Sequence, residues 1–306
     1  MKLLVTGALG HIGSQLIRSL GDQKIVVVDN LMTQRFPSLF NLPPKTGIEF
    51  INKDVKELTE HFLTEHGPFS HIIHLAAITD AAGNADNRQG LFANNLEATM
   101  HIADLSHKMQ IPLIFPSTTS VYGSQSELVN EECKELFPQS PYAECKLEEE
   151  VYLQTQYKTG LRVVILRLGT IHGASIGMRF HTAVNKFIFQ SKLNIPLTVW
   201  STALDQRRPY LSLSDAINAF KHVIKNDLFD GQIYNVVTQN WTVREIIDCI
   251  ERHNQEKCNL ELVESPTMNQ LSYEVSSKKF QLTGFHFTGS LDEDIEETLS
   301  LLNGVS

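Results

Sequence analysis

What this 306-residue chain lacks narrows its biology before any motif is read. It has only four cysteines, Cys133, Cys145, Cys249 and Cys258, at spacings that form no pair. They read as free thiols in a reducing compartment. No run of basic residues occurs and the formal net charge is -9, which argues against nucleic acid or an anionic membrane as the main partner. No apolar stretch approaches the roughly 20 residues needed to cross a bilayer. The opening Met1-Lys2-Leu3-Leu4-Val5-Thr6-Gly7 runs straight into a turn and is too short for the apolar region of a signal peptide. A soluble cytoplasmic protein is expected. Internal repeats and low-complexity linkers are missing too. Hydrophobic residues nevertheless make up 42% of the chain, enough for one large domain or two joined ones.

Metal-ligand spacing is also missing, despite 12 histidines. His61 and His66, or His71 and His74, do not have the i, i+4 spacing of a helical zinc pair, and no neighbouring cysteine or carboxylate completes a set. No metal is expected. His74 reads as a buried, hydrogen-bonded strand residue, and Trp200 and Trp241 as core.

What is present is a regular alternation. Short apolar runs at Leu3-Leu4-Val5, Ile25 to Val28, Ile48 to Ile51, Ile72 to Leu75, Leu113 to Phe115 and Val163 to Leu166 suit strands covered on both faces. Helical patterns fall between them, after Gly10, around Val55 to Glu65, Leu91 to Met109 and Tyr142 to Tyr157. The series predicts an α/β fold with a doubly wound parallel sheet. Beyond about residue 170 the alternation loosens. A helix from Ala183 to Gln190, a strand from Pro196 to Trp200, a helix capped by Ser214, a strand over Ile233 to Val237, a Thr242/Glu245 capping box and an acidic helix from Leu291 to Leu302 are expected there. Residues 1–170, with a return segment about 208–237, are read as the dinucleotide domain; 171–207 and 238–306 are read as a smaller substrate-binding lobe.

The first turn carries the nucleotide signal. Thr6-Gly7-Ala8-Leu9-Gly10-His11-Ile12-Gly13 follows a strand and opens a helix. Gly7 serves the tight turn, Gly10 the approach of a pyrophosphate and Gly13 close helix packing, with His11 and Ile12 at the positive end of the helix. Asp29 ends the second strand and suits the two ribose hydroxyls of adenosine, and its charge repels a 2′-phosphate. With Asn30 beside it and no immediate cation except the more distant Arg35, NAD is expected over NADP. Asp54 and Val55 are placed to meet the adenine, Asp54 also as a helix N-cap.

Tyr142 and Lys146, in Ser140-Pro141-Tyr142-Ala143-Glu144-Cys145-Lys146, are one helical turn apart and share a face. The ammonium favours the phenolate. Moving a tyrosine from its usual pKa of about 10 to near 7 takes roughly 4 kcal/mol. Such a tyrosine can take a proton from an alcohol while a dinucleotide takes hydride from the same carbon.

These segments, with His74-Leu75-Ala76-Ala77, Asn94-Asn95, Ser117-Thr118-Thr119-Ser120-Val121-Tyr122-Gly123, Arg207-Arg208-Pro209-Tyr210 and Tyr234-Asn235-Val236, resemble the extended short-chain dehydrogenase/reductases, in particular their nucleotide-sugar epimerase and dehydratase branch. The resemblance implies that Leu75, Ala76 and Ala77 line the nicotinamide side of the cofactor channel and that Asn95 organises the adjoining helix. It makes Thr118 the hydroxyl that bridges substrate and Tyr142, with Ser117 and Thr119 as adjacent alternatives, and has Lys146 hold the nicotinamide ribose. Thr119 and Thr170 are implied substrate contacts. Arg208 is either a phosphate contact or an ordinary ion pair.

The departures from the family pattern are informative. Dehydratases and decarboxylases of the family carry an acid in the turn after the Ser/Thr, suited to protonating a leaving hydroxide; this chain has Thr119 and Ser120. Thr170 replaces the usual asparagine, Pro209 the usual aspartate, and no counterpart of a further C-terminal arginine is evident. The expectation is therefore an NAD-dependent epimerase of a nucleotide-activated sugar, with a sugar dehydrogenase or ketoreductase as the alternative and a dehydratase behind it. The resemblance also implies a homodimer formed through the helices at 91–109 and 142–157.

Overall fold

The computed structural model describes residues 1–43, 47–80, 83, 86–125, 128–180, 182–264 and 273–305. Seven parallel strands form the main sheet, in the spatial order Ile233–Val236, Val163–Leu168, Leu113–Thr118, His71–His74, Lys2–Thr6, Lys24–Asp29 and Gly47–Asn52. The α/β reading holds. Alternate residues of each strand enter opposite cores, as a period of two requires. Leu3, Val5, Ile25, Val27, Ile114 and Val164 face one core; Leu4, Val26, Val28, Leu113, Phe115 and Val163 face the other. The helices His11–Ser19 and Leu213–Asn226 cover the first face, and the helix Arg88–Lys108 covers the second.

Strand order reverses between Lys2–Thr6 and His71–His74. At such a switch point the connections leave in opposite directions, and a crevice opens beyond the strand ends. The two ends are locked together here. Leu75 N–H donates to the Thr6 carbonyl at 3.0 Å, and the Thr6 hydroxyl meets His74 Nδ1 at 2.7 Å. Gly7, at φ +65°, passes so close that a Cβ on it would lie 2.4 Å from the Ala76 nitrogen.

A third core unites the helices Ala183–Lys192, Val243–Asn254 and Leu291–Leu301 with the strand Leu197–Trp200. Three further small sheets accompany it among the described residues, including Thr170–His172, Arg207–Ser212 and Gln239–Thr242 side by side. The Thr242/Glu245 capping box forms as expected.

Two local expectations are corrected. The single helix expected around Val55 to Glu65 is a short 3-10 turn, Val55–Glu57, followed by a separate helix, Glu60–Glu65. Leu58 is extended, and the Thr59 side chain accepts from Phe62 N–H to start the second helix afresh. Ser214 is not a cap; it lies inside the helix Leu213–Asn226, and its hydroxyl meets that of Ser212 at 2.9 Å. Among the described residues no helix is long and apolar enough to cross a membrane. All four cysteines carry free thiols.

Candidate active site

A cavity of about 440 Å³ opens at the switch point. Gly7, Gly10, His11, Ile12 and Gly13 line one end, and the helix His11–Ser19 begins there. Its first-turn amides have no acceptor within the helix. A Cβ on Gly13 would sit 2.5 Å from Ala8 Cα, so the close packing this glycine serves is against the loop rather than the sheet. Asp29, Asn30, Asp54 and Val55 continue the wall. Asp29 is fixed by Leu9 N–H on one carboxylate oxygen, 3.3 Å, and Leu31 N–H on the other, 2.9 Å. Asn30 donates to Asp54 at 2.9 Å, and Asp54 also caps the 3-10 turn through Lys56 N–H.

Two arginines contribute to the same cavity. Arg35 reaches across to donate to the Gly177 carbonyl, and Arg179 enters from the loop beyond the main sheet. Burial, with the charge of Arg179 adding, pushes Arg35 down to about 10, although Asp29 opposes the shift. The Nε atoms of Arg35 and Arg179 are buried without a hydrogen-bond partner among the described residues. Two guanidiniums repelling each other beside a glycine loop and a helix N-terminus form a cradle suited to a pyrophosphate. The Asp29 carboxylate beside them suits an unphosphorylated ribose. These groups fit NAD.

At the other end lie Leu75, Ala76, Ala77, Thr118, Tyr142, Lys146 and Thr170. Ser140 caps the helix Pro141–Lys158 by accepting from Ala143 N–H, with Pro141 in its first turn. That start directs Tyr142 and Lys146 to the cavity. Thr118 accepts from Ser120 N–H and donates to the Ser120 hydroxyl, both at 3.1 Å, so the turn presents a pair of linked hydroxyls. Asn95, fully buried, brackets Ile78 by accepting from its N–H at 2.8 Å and donating to its carbonyl at 2.9 Å. It shapes the wall without lining it.

Two expected contacts lie elsewhere. Thr119 is buried, with its hydroxyl 3.5 Å from that of Tyr273, and does not line the cavity. Arg208 has its guanidinium 5.9 Å from the Trp200 ring centre and does not line the cavity. Residues not expected as contacts do line it, among them Ser120, Asp80 and Arg179. Asp80 accepts from Gly83 N–H at 2.9 Å. Ser120 was legible from its position beside Thr118; Arg179 and Asp80 sit in irregular loops with no periodicity to place them.

Electrostatics depart from the simplest expectation for the Tyr142–Lys146 pair. Burial raises the Tyr142 phenol above its ordinary 10, and Lys146 is the main influence pulling it down. The Lys146 ammonium sits 3.1 Å from Glu149 and 4.3 Å from the centre of the Phe115 ring. His74, buried beside it, is pushed down to about 3, first by burial and then by the charge of Lys146, so its imidazole is neutral. Outside the cavity, Cys249, His253 and Asp292 gather donor atoms within 4.8 Å, but Arg252 already pairs with Asp292 at 3.0 Å. Burial and the hydrogen bond to Asp292 push the Cys249 thiol up to about 12.

The chain is similar to known proteins throughout. It is 29% identical over 277 residues to YtcB of Bacillus subtilis (strain 168), named as an uncharacterized UDP-glucose epimerase, covering 85% of this chain and 84% of that one. It is 27% identical over 319 residues to the dTDP-D-glucose 4,6-dehydratase of Bos taurus, covering 97% and 87%. The fold superposes on that of the UDP-glucuronic acid 4-epimerase of Bacillus cereus, solved with UDP-glucuronic acid and NAD, with a TM-score of 0.90 at 24% identity over the whole of both chains. The family model of the NAD dependent epimerase/dehydratase family matches residues 3–236. With its glycine loop, Asp29 and the Tyr142–Lys146 helix gathered on one cavity, the chain belongs to the NAD dependent epimerase/dehydratase family and is an NAD-dependent enzyme.

Proposed function

We propose that the enzyme epimerises a nucleotide-activated sugar by transient oxidation at one secondary alcohol. The observation that carries this reading is the composition of the catalytic end of the cavity: Tyr142, Lys146 and Thr118 converge there, and the turn after Thr118 holds hydroxyls where a dehydratase needs an acid. When bound, NAD+ accepts a hydride and gives it back. The first turn of the helix at Gly10 would hold its pyrophosphate, Asp29 its adenosine ribose, and Lys146 its nicotinamide ribose. Tyr142 takes the alcohol proton, with Thr118 bridging it to the substrate oxygen. The keto-sugar then turns within the cavity, and Tyr142 returns the proton once the opposite face has been reduced. No further acid is required.

Arg208 does not line the cavity, whereas Arg179 does, at the cofactor end beside Arg35. Segments 171–207 and 238–306 act as the lobe that grips the sugar nucleotide, against a dinucleotide domain of residues 1–170 with its return segment. The protein works in the cytoplasm as a homodimer through the helices Arg88–Lys108 and Pro141–Lys158, which pack together and leave Met100 and Val151 exposed.

The test uses a sugar nucleotide deuterated at the inverted carbon. Oxidation and return keep deuterium on that carbon in the product, and Tyr142→Phe slows the reaction by about 10²-fold or more. Deuterium transferred to the carbon that has lost its hydroxyl, two removed from the oxidised one, would establish a dehydratase, and its loss to solvent would exclude hydride return.

A further inference from the structure

The helix Pro141–Lys158 carries consecutive buried carboxylates, Glu149 and Glu150. Glu150 has a structural partner: it receives Arg167 through both Nε and Nη2, and the Ser117 hydroxyl. Among the described residues no arginine pairs with Glu149. One of its oxygens accepts from the Thr99 hydroxyl at 2.5 Å, and the other lies 3.1 Å from Lys146 Nζ. The two side chains of that pair are 4% and 0% exposed. The ammonium therefore sits on a carboxylate that is itself pinned by a second helix, Arg88–Lys108.

We propose that Glu149 is a positioning residue for Lys146, supplying the counter-charge that keeps a desolvated ammonium protonated at the catalytic end of the cavity. The physical need is direct. An unpaired lysine in such surroundings loses up to 3–5 pH units of basicity, and a neutral Lys146 would neither favour the Tyr142 phenolate nor hold charge near the cofactor. Burial is the strongest influence on Lys146 and acts to discharge it; Glu149 is the largest influence opposing it, and the net direction is upward. The other groups facing the ammonium do not replace it. Tyr142 and Cys145 share its helix and are neutral until deprotonated. Burial drives both upward, and Cys145 to about 12. His74, on the strand His71–His74, is neutral. Phe115 offers a ring face, and Thr99 a hydroxyl already given to Glu149. Pinning by Thr99 also fixes where the ammonium rests, within reach of Tyr142 on the same helical face.

This inference rests on the assignment of Lys146 to the active site, but its test needs no substrate. Protein labelled with 13C at lysine Cε is titrated by NMR, with and without NAD+, the Lys146 signal being assigned by its loss in Lys146→Arg. A lysine is cationic below its midpoint, so a lowered midpoint shows as discharge on raising pH. In the native chain Lys146 holds its proton beyond the ordinary lysine value of 10.5. Glu149→Gln lowers the midpoint by about one pH unit or more, tenfold in acidity, and Glu149→Asp, which withdraws the carboxylate by one methylene, falls between. Should Glu149→Gln not fold, Glu149→Asp alone carries the comparison. Once a substrate is in hand, the alkaline limb of the Glu149→Gln activity profile falls at a lower pH than that of the native enzyme, by the same shift of about one pH unit or more. A midpoint unmoved in the variants, or a loss of activity by the same factor at every pH, overturns the proposal.

Discussion

Tyr142 and Lys146 were legible because chemistry fixed both residue types and their one-turn spacing, and the cavity receives both. What the sequence concealed was the competition around them. Spacing says nothing of desolvation, which raises Tyr142, or of Glu149, which shares Lys146. Thr119 shows the same limit: a hydroxyl next to Thr118 reads as a substrate contact, yet the turn aims it at Tyr273. His74, by contrast, was read as buried and hydrogen-bonded, and it is, against Thr6. Its depressed pKa has a consequence for stability. The unfolded chain protonates this imidazole below about 6.5 and the folded chain only near 3, so its contribution is fully present above 6.5 and declines as pH falls through that window. The decline approaches about 1.4 kcal/mol per pH unit. Urea unfolding at a series of pH values should show that His74→Asn flattens this part of the profile; an unchanged slope would mean the imidazole titrates normally.

At the scale of elements, the sheet strands and the capped helices were legible, because strand runs of apolar residues and side-chain caps are local signals. Thr242 with Glu245 formed the expected box, and Ser140 with Pro141 started the expected helix. Elements failed where a tertiary contact or a second cap intervened, as where Thr59 splits the segment at Val55 to Glu65. The glycine loop is the element on which the cofactor end depends, and Gly7 is its tightest point. With φ +65° and only 2.4 Å to Ala76 nitrogen for a new Cβ, Gly7→Ala must push the loop off the neighbouring strand end. The expected outcome is NAD+ affinity reduced at least tenfold in calorimetry, with destabilisation on the order of 1–3 kcal/mol from strain. Native affinity in this variant would show that the loop does not hold the dinucleotide.

For the whole molecule, the doubly wound parallel sheet was legible in the alternation of strands and helices, and the cavity lies at its switch point. The region past residue 170 was less legible, since its helices bury against one another rather than on a repeating strand pattern. Arg179 reaches the cavity from there through loop geometry alone. Pairing with a second copy was implied by resemblance, and the exposed Met100 and Val151 give it a testable surface. Replacing both by glutamate is expected to convert a dimer to monomers in sedimentation velocity while leaving the fold intact by circular dichroism; a native chain that sediments as a monomer contradicts the pairing. Epimerisation by this route requires hydride to leave and return within one site. Purified protein, supplied with NAD+ and a panel of nucleotide-activated sugars, should be followed by product NMR and by NADH absorbance together. Conversion of one sugar to its stereoisomer with no net NADH is the predicted result; stoichiometric NADH, or a dehydrated keto-sugar as the released product, would contradict it.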